Sequence, residues 1–564
     1  MGGGLLNIIS YGNQNIMLNG NPSKTFFKTV YAKYTNFGMQ KFRIDFEGQR
    51  NLKLNESTHL TFKIPRHGEL FMDAYLVLNL PDIWSPILPP LSETDCWKPY
   101  QFRWISHIGA NLIKKARVVI GGQTIQEFSG EYLKNMVERD FDGDKKKFFY
   151  KMIGHEDEIY RPEYAYNRVN RYPNSFYLGS DSVEPSLRGR TIYVPLHFWF
   201  MNSVKMALPL VSLQYQELQI VLELRPIREL FTICEVSLSK EQGFNLNPIQ
   251  PNFSNELHSL YRFIQPPPNT TLEPSSYGNK PVLWDSDIHL MTTYAFLTDE
   301  ESRIFAATEQ RYLIKDVQEI LHTNVVGNKR IRIETNAMVS SWMWNFRRND
   351  AYQRNEWSNY SNWDYYRELP SNVELAPDNS EFLLGNEPYG PGSNPLRIYS
   401  NDVTNTKTSV VKSSTSYYVN PKLNQRNIRE ILLSLSILFD GKYREFDFDP
   451  GVYNYIEKYR NSNGVSENTL YSYSFSLNTS PFELQPSGAI NLSRFKTIEF
   501  DISTILPEVD PKASFQVLCD TEGTVIGMTQ KDILYVYSYD FYLAEERYNL
   551  LRFISGNAAL LYAR

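Results

Sequence analysis

Leu218, Ile220, Leu222 and Leu224 alternate with Glu217, Gln219, Val221 and Glu223. A period of two with leucines on one side and mainly charged or amide side chains on the other specifies a β-strand with one covered face. Upstream, the aromatic and β-branched run from Ile192 to Phe200 reads as a second strand, separated from the first by a connector containing Pro209. Thr191–Leu224 is therefore expected to be two strands joined across one end of a sandwich.

The same device returns at Tyr471–Ser503, and other blocks return with it. Lys329–Phe346 stands where Thr61–Leu80 stood. Leu433–Phe446 repeats the strand, Gly-centred turn and strand of Val118–Phe128. Ile533–Leu551 matches Ile288–Phe305, down to an acidic pair before an arginine, Glu300-Glu301-Ser302-Arg303 against Glu545-Glu546-Arg547. Four blocks in one order with unequal spacers imply two copies of one fold with different loops, whereas a solenoid needs shorter, evenly spaced units. The expected division is an arm over 1–25, a first domain over 26–305 and a second over 306–564, with packing beginning at Phe26.

Long strands with uneven connections fit the eight-stranded jelly roll. An immunoglobulin-like sandwich has shorter connections, and a parallel α/β sheet lacks its crossover helices here. The fold class is all-β: two consecutive eight-stranded jelly-roll β-sandwiches, a double jelly roll, with long loop insertions and short helices. Gly121-Gly122 suits a tight hairpin turn in Ala116–Phe128, and the helix after it carries Leu133, Met136 and Val137 on one face. A second short helix after Phe446 has Asp449 as N-cap and Pro450 in its first turn. Residues 226–286 lack periodicity and read as an outward loop. Asn349–Asn427, rich in Asn, Ser, Tyr and Pro, reads as a surface tower.

The net charge of −5 argues against a chain that coats nucleic acid. Cys96, Cys234 and Cys519 have no metal spacing, and scattered reduced thiols fit cytosolic synthesis. The start has no basic segment before its apolar residues, so no secretory signal is expected, and Leu6 stands where a myristoylation signal takes Ser or Thr. The most apolar stretch, Phe198–Val211, is interrupted by Asn202, Lys205 and Pro209, so no membrane-spanning helix is expected.

Nothing nominates a catalytic, cofactor or metal site. The eight histidines include no His-x-x-x-His pair. His197 lies inside an apolar strand and reads as a core or cavity-edge imidazole. Asp140–Lys147 resembles a calcium loop but has its glycine at the wrong place and Lys151 where the last glutamate belongs, so it reads as a solvated charged loop. Asp447 and Asp449 lie in a turn, where capping explains the second. No nucleophile elbow, phosphate-binding loop or dinucleotide fingerprint occurs. Of two aromatic segments, Trp342–Phe346 reads as core, while Trp357–Tyr366 is the best exposed candidate for stacking on sugars. A carbohydrate-binding β-sandwich is thus the alternative function.

Five motifs in order carry a resemblance. Gly3–Phe37 is a Gly-rich arm leading to FFKTVYAKYTNF, and Ile113–Gly130 contains IGGQ. Val194–Leu218 has VPL, LPL and LQY, and Gln485–Phe495 and Leu551–Tyr562 complete the set. The chain resembles the double jelly-roll major capsid proteins of large nucleocytoplasmic DNA viruses, the kind found in algal, amoebal and iridovirus-like particles. That resemblance implies a non-enzymatic subunit without cofactors, forming homotrimeric pseudo-hexagonal capsomers that tile an icosahedral shell. The partners it implies are neighbouring capsomers and minor capsid and penton proteins. An inner face near an internal viral membrane, no direct nucleic-acid contact, and a place in the virion after assembly in host cytoplasm complete it.

Overall fold

The computed structural model describes residues 12–20, 22–46, 48, 51–88, 98–99, 101–168, 171–175, 183–234, 248–268, 272–335, 337–366, 428–467, 469–510, 512–513, 515–519, 523–530 and 534–562. Eight strands build a first sandwich. They are β1 (Phe37–Ile44), β2 (Thr58–Lys63), β3 (Leu70–Leu80), β4 (Ile113–Ile120), β5 (Gln123–Phe128), β6 (Arg190–Pro195), β7 (Leu218–Leu224) and β8 (His289–Leu297). One sheet has the order β1-β8-β3-β6 and the other β2-β7-β4-β5. Alternation places Leu60 and Phe62 of β2 and the leucines of β7 inward, while Thr61, Lys63 and Glu223 face out.

The second half repeats this arrangement with β9 (Gln310–Val325), β10 (Asn328–Arg332), β11 (Met338–Arg348), β12 (Leu432–Phe439), β13 (Lys442–Phe448), β14 (Leu470–Ser474), β15 (Ile498–Thr504) and β16 (Tyr539–Ile554). Its sheets run β9-β16-β11-β14 and β10-β15-β12-β13. The strand order matches the first sandwich position for position, so the chain is a double jelly roll. Both hairpins turn through paired positive-φ residues, Gly121 and Gly122 (φ 56° and 83°) and Asp440 and Gly441 (φ 50° and 74°). Four helices matter below: α1 (Gly130–Asp140), α2 (Gly143–Met152), α3 (Asp299–Ala307) and α4 (residues 450–461). The middle of α4, Val452–Ile456, is π-helical, and Asp449 caps it by accepting from Gly451 N at 2.7 Å.

Two cores result, and one crosses the midline of the chain. Trp342, Trp344 and Phe500 centre the second core, with ring centroids 5.1 and 5.8 Å apart for the two Trp–Phe pairs. On the opposite face of the same sheet, Met343, Tyr542 and Ala544 belong to the core of the first sandwich. The sheet containing β11 is thus buried on both faces, which explains why WMWNF reads as a continuous apolar run.

Several expectations are corrected. Phe26 and Phe27 are exposed, as is every described side chain from Gly12 to Asn36, so packing starts at β1. The strand expected over Ile192–Phe200 stops at Pro195, because the chain turns at His197 with φ 23°. Residues 226–286 are not merely an outward loop. Phe231–Cys234 pairs with Phe102–Trp104, Phe102 stacks on Phe231 at 4.5 Å, and Leu260 and Phe263 join the core. Asp140–Lys147 is no solvated loop: Asp142 caps α2 and Asp140 is buried. The repeated acidic pair fails as well, because Glu300 and Glu301 begin α3 whereas Glu545 and Glu546 lie inside β16. Of the expected tower, residues 367–427 lie outside the described residues.

Gly130 marks how tightly α1 is seated, since a Cβ there would stand 1.8 Å from the Ala110 carbonyl oxygen and 2.6 Å from that of Ile113. Both obstacles are backbone, so Gly130→Ala must shift α1. A loss of about 1–3 kcal/mol is expected from overpacking, read as a lowered midpoint in denaturant titration.

Candidate assembly surface

Helix α1 lies between the two sandwiches, and the outer face of the β9-β16-β11-β14 sheet closes over it. Ser129 caps the helix by accepting from Tyr132 N, and its hydroxyl donates to Glu319 of β9, which also accepts from Tyr542. At the other end Arg139, fully buried, donates to Glu546 at 2.6 Å and to Asp140 at 2.7 Å. Glu546 accepts in addition from Tyr132 (2.8 Å) and Ser341 (2.6 Å), and Asp140 accepts from Thr479 (2.6 Å). Lys315 Nζ donates to the Thr479 carbonyl at 2.9 Å. Glu131 accepts from Asn345 and pairs with Arg347 at 3.1 Å.

The seam sets three cations, Arg139, Lys315 and Arg347, among four carboxyl groups, Asp140, Glu131, Glu319 and Glu546, of which burial raises Glu319. Burial raises the Glu546 carboxyl, but the opposing effects of Arg139, Lys315 and its hydroxyl donors hold it below its ordinary value. Burial dominates at Asp140 and pushes it up, against the pull of Arg139. Lys458 of α4, buried near Glu138, Lys146 and Arg139, is pushed down by burial to about 7. A buried network of this kind contributes less to stability than to fixing which surfaces meet, because desolvation offsets most of the Coulombic gain.

Two further surfaces are uncovered. On α4, Tyr455, Ile456, Tyr459 and Arg460 form an exposed stripe, with Phe446 of β13 also exposed. On the first sandwich the outer face of β1-β8-β3 carries exposed Met39, Lys41 and Arg43, beside half-buried Asp73, Tyr75 and Met291. Burial raises the Asp73 carboxyl above its ordinary value, and neither its buried Oδ1 nor the buried Thr293 hydroxyl has a hydrogen-bond partner among the described residues.

None of the residues weighed for chemistry from the sequence converges on a reactive site. His197 sits against Phe141, ring centroids 5.0 Å apart, with Nδ1 buried and unpaired, and burial pushes it down to about 3. Asp447 is not in a turn but inside β13, at a positive φ of 47°, and Asp449 alone lies between that strand and α4, which it caps. Trp357–Tyr366 is not an exposed stacking surface: Tyr360 is buried and donates to Asn135 at 2.9 Å, Trp357 lies under the Arg225 guanidinium at 3.9 Å, and its indole donates to Glu229. Among the described residues no three His, Cys, Asp or Glu side chains could hold a metal ion, and no helix is long and apolar enough to cross a membrane. The seam itself escaped the sequence reading, because its charges come from segments as far apart as Arg139 and Glu546. The available signal was charged residues embedded in runs otherwise suited to burial.

Residues 25–258 match a family described as "Major capsid protein N-terminus", and residues 301–559 match "Large eukaryotic DNA virus major capsid protein". The chain is 24% identical over 602 residues to the major capsid protein of Phaeocystis pouchetii virus, with 100% of both chains covered. It is also 24% identical over 569 residues to that of Paramecium bursaria Chlorella virus 1, again with 100% of both covered. Among solved structures it is similar to the quasi-atomic PBCV-1 virus capsid, with TM-score 0.57, 18% identity, and 96% of this chain and 100% of the other covered.

Removing the seam's central cation tests its role. Arg139→Met leaves Asp140 and Glu546 buried without their shared partner, so a loss of about 3–5 kcal/mol is expected. Denaturant titration measures it, and a loss below about 1 kcal/mol contradicts the assignment.

Proposed function

Because this chain belongs to the major capsid protein family of large eukaryotic DNA viruses, we propose that three copies of it close into a pseudo-hexagonal capsomer. The chain is a structural subunit of the virion shell and not an enzyme. The proposal extends to a division of the chain into an arm over 1–25, a first jelly roll over 26–305 and a second over 306–564. It further includes contacts with neighbouring capsomers and minor capsid and penton proteins, an inner face toward an internal membrane without direct nucleic-acid contact, and assembly in the host cytoplasm.

One observation carries the reading. Two sandwiches of the same strand order present unlike outer faces, one covered within the chain and one open. Unlike faces form heterologous contacts, which close into rings when the rotation permits. Three chains of two sandwiches supply six similar blocks around one axis. Native mass spectrometry of isolated capsomers is expected to give a species of three times 65.8 kDa, burying well above roughly 2,000 Å² per obligate contact. A monomer or dimer at micromolar concentration contradicts it.

The arm supports a separate step. Its described part carries exposed Ile16, Met17 and Leu18, and the segment directly after it carries exposed Phe26, Phe27, Val30 and Tyr31, too apolar for a solvated tail and covered by no apolar surface among the described residues. Its place in the proposal is the inner side of the shell, against the base of a jelly roll or a minor capsid protein. Deleting residues 1–20 is expected to leave the trimer and its melting transition unchanged while greatly reducing incorporation into particles. Loss of the trimer, or normal incorporation, overturns this role.

A further inference from the structure

Three lysines are buried around Glu138 of α1, and among the described residues only one of them has no carboxylate. Lys134 of α1 pairs with Glu467 at 3.7 Å. Lys146 of α2 donates to the Glu138 carboxylate and to the backbone carbonyls of Glu138 and Val465. Lys458 of α4 makes no ion pair among the described residues. Its one hydrogen bond there runs to the side-chain oxygen of Asn454, also buried, 2.7 Å away. A buried ammonium with a single neutral acceptor is costly, and such a group gives up its proton instead. Burial, with Lys146 and Arg139, pushes the Lys458 amine down to about 7 against the pull of Glu138. A lysine desolvated beside other cations is an activated amine nucleophile.

The group that this amine touches is an electrophile. A carbonyl bond is about 1.2 Å long, so Nζ lies no farther than about 3.9 Å from Cγ of Asn454. Atoms poised to react stand roughly 3–3.5 Å apart, and a small rotation of the lysine side chain closes the difference. Asn454 stands in the π-helical turn of α4, a departure from regular helix that is frequent at functional sites. A carboxamide is attacked by an amine only when a positioned acid moves a proton to the leaving nitrogen. Glu138 has the properties of that acid. Its charge is the strongest acting on the Lys458 amine, and its buried Oε1 has no hydrogen-bond partner among the described residues. Burial also raises its carboxyl above the ordinary value, against Lys134 and Lys146.

We propose that Lys458 and Asn454 condense into an intramolecular isopeptide bond, with Glu138 as the proton carrier. The free amine adds to Cγ of Asn454 and forms the new C–N bond. The bond from Cγ to the carboxamide nitrogen breaks. The proton lost by Nζ passes through Glu138 to the departing nitrogen, which leaves as ammonia. Nothing is oxidised or reduced, and Glu138 ends in the state in which it began. The product is an uncharged secondary amide, which removes the cost of burying an amine that takes up a proton as the pH falls. The link closes a single turn of α4. It therefore fixes the shape of that turn beside the Arg139 seam, and it removes too short a loop from the unfolded chain to add much global stability.

Mass spectrometry of the denatured full-length chain reads the bond directly. The wild-type chain is expected to be one ammonia lighter than its sequence. Trypsin locates the loss, because an acylated Lys458 is no longer a cleavage site. The linked chain gives residues 445–460 as one peptide lacking one ammonia, whereas an unlinked chain gives residues 445–458 at full mass. Lys458→Met, which sets an uncharged side chain of similar length in the same place, is expected to retain the ammonia and the wild-type circular dichroism spectrum. In freshly translated chain followed over time, Glu138→Gln is expected to slow the loss by about 100-fold or more. A wild-type chain of full mass that is cut at Lys458 shows an ordinary hydrogen-bonded pair and overturns the proposal. Ammonia lost only outside residues 445–460, or lost equally from Lys458→Met, overturns it too. A loss that Glu138→Gln leaves at the wild-type rate overturns the part given to Glu138.

Discussion

The double burial of one sheet is the constraint on which the rest depends. β11 and β16 bury Trp342, Trp344, Phe541 and Leu543 into their own sandwich and Met343, Tyr542 and Ala544 into the other. A jelly roll alone has a wet outer face, so a sheet without one cannot be exposed without a large cost in apolar hydration. The two halves are therefore a single packed body along this seam. The buried ion network of Arg139, Asp140 and Glu546 fixes the register in which they meet, since any other register leaves a charge unpaired in the interior.

The same seam makes the subunit polar in the sense that matters for assembly. Each sandwich has a helix-bearing edge and an open sheet face, and within the chain only one edge meets one face. One edge and one face are left without a counterpart among the described residues, and unlike surfaces of that kind are what a head-to-tail ring joins. Loops and the long insertions attach at the ends of the strands, where length can vary without disturbing either core. A shell protein can thus vary its exterior while retaining the geometry of its contacts.

Much of the fold was legible in the sequence because most strands obey alternation: β2, β7 and β15 keep one covered face, and the glycine turns at 121–122 and 441 mark both hairpins. Where both faces are covered the alternation vanishes, and WMWNF reads only as buried, with no indication of what buries its second side. Asp140 was misplaced for a related reason. A charged residue beside Asp142 and three lysines looks solvated until the fold brings Thr479 to it and seats its neighbour Arg139 on Glu546. Trp357–Tyr366 looked like an exposed aromatic patch because its partners, Asn135, Arg225 and Glu229, are more than a hundred residues away in the chain. Phe26 and Phe27 failed in the opposite direction. Their apolarity suggested a core, but nothing within the described residues of the chain covers them, and that mismatch is itself the sign of a contact made outside the subunit.

The central claim is that the doubly buried sheet and its buried ion network join the two sandwiches of one chain into a single packed block. A cryo-EM map of the intact particle, at a resolution that shows side chains, tests it most directly. The account predicts six jelly rolls around each capsomer axis, with Arg139 seated on Glu546 and the β9-β16-β11-β14 sheet covered on both faces in every subunit. Capsomers with another copy number, or subunits whose two sandwiches have parted at this sheet, would contradict it.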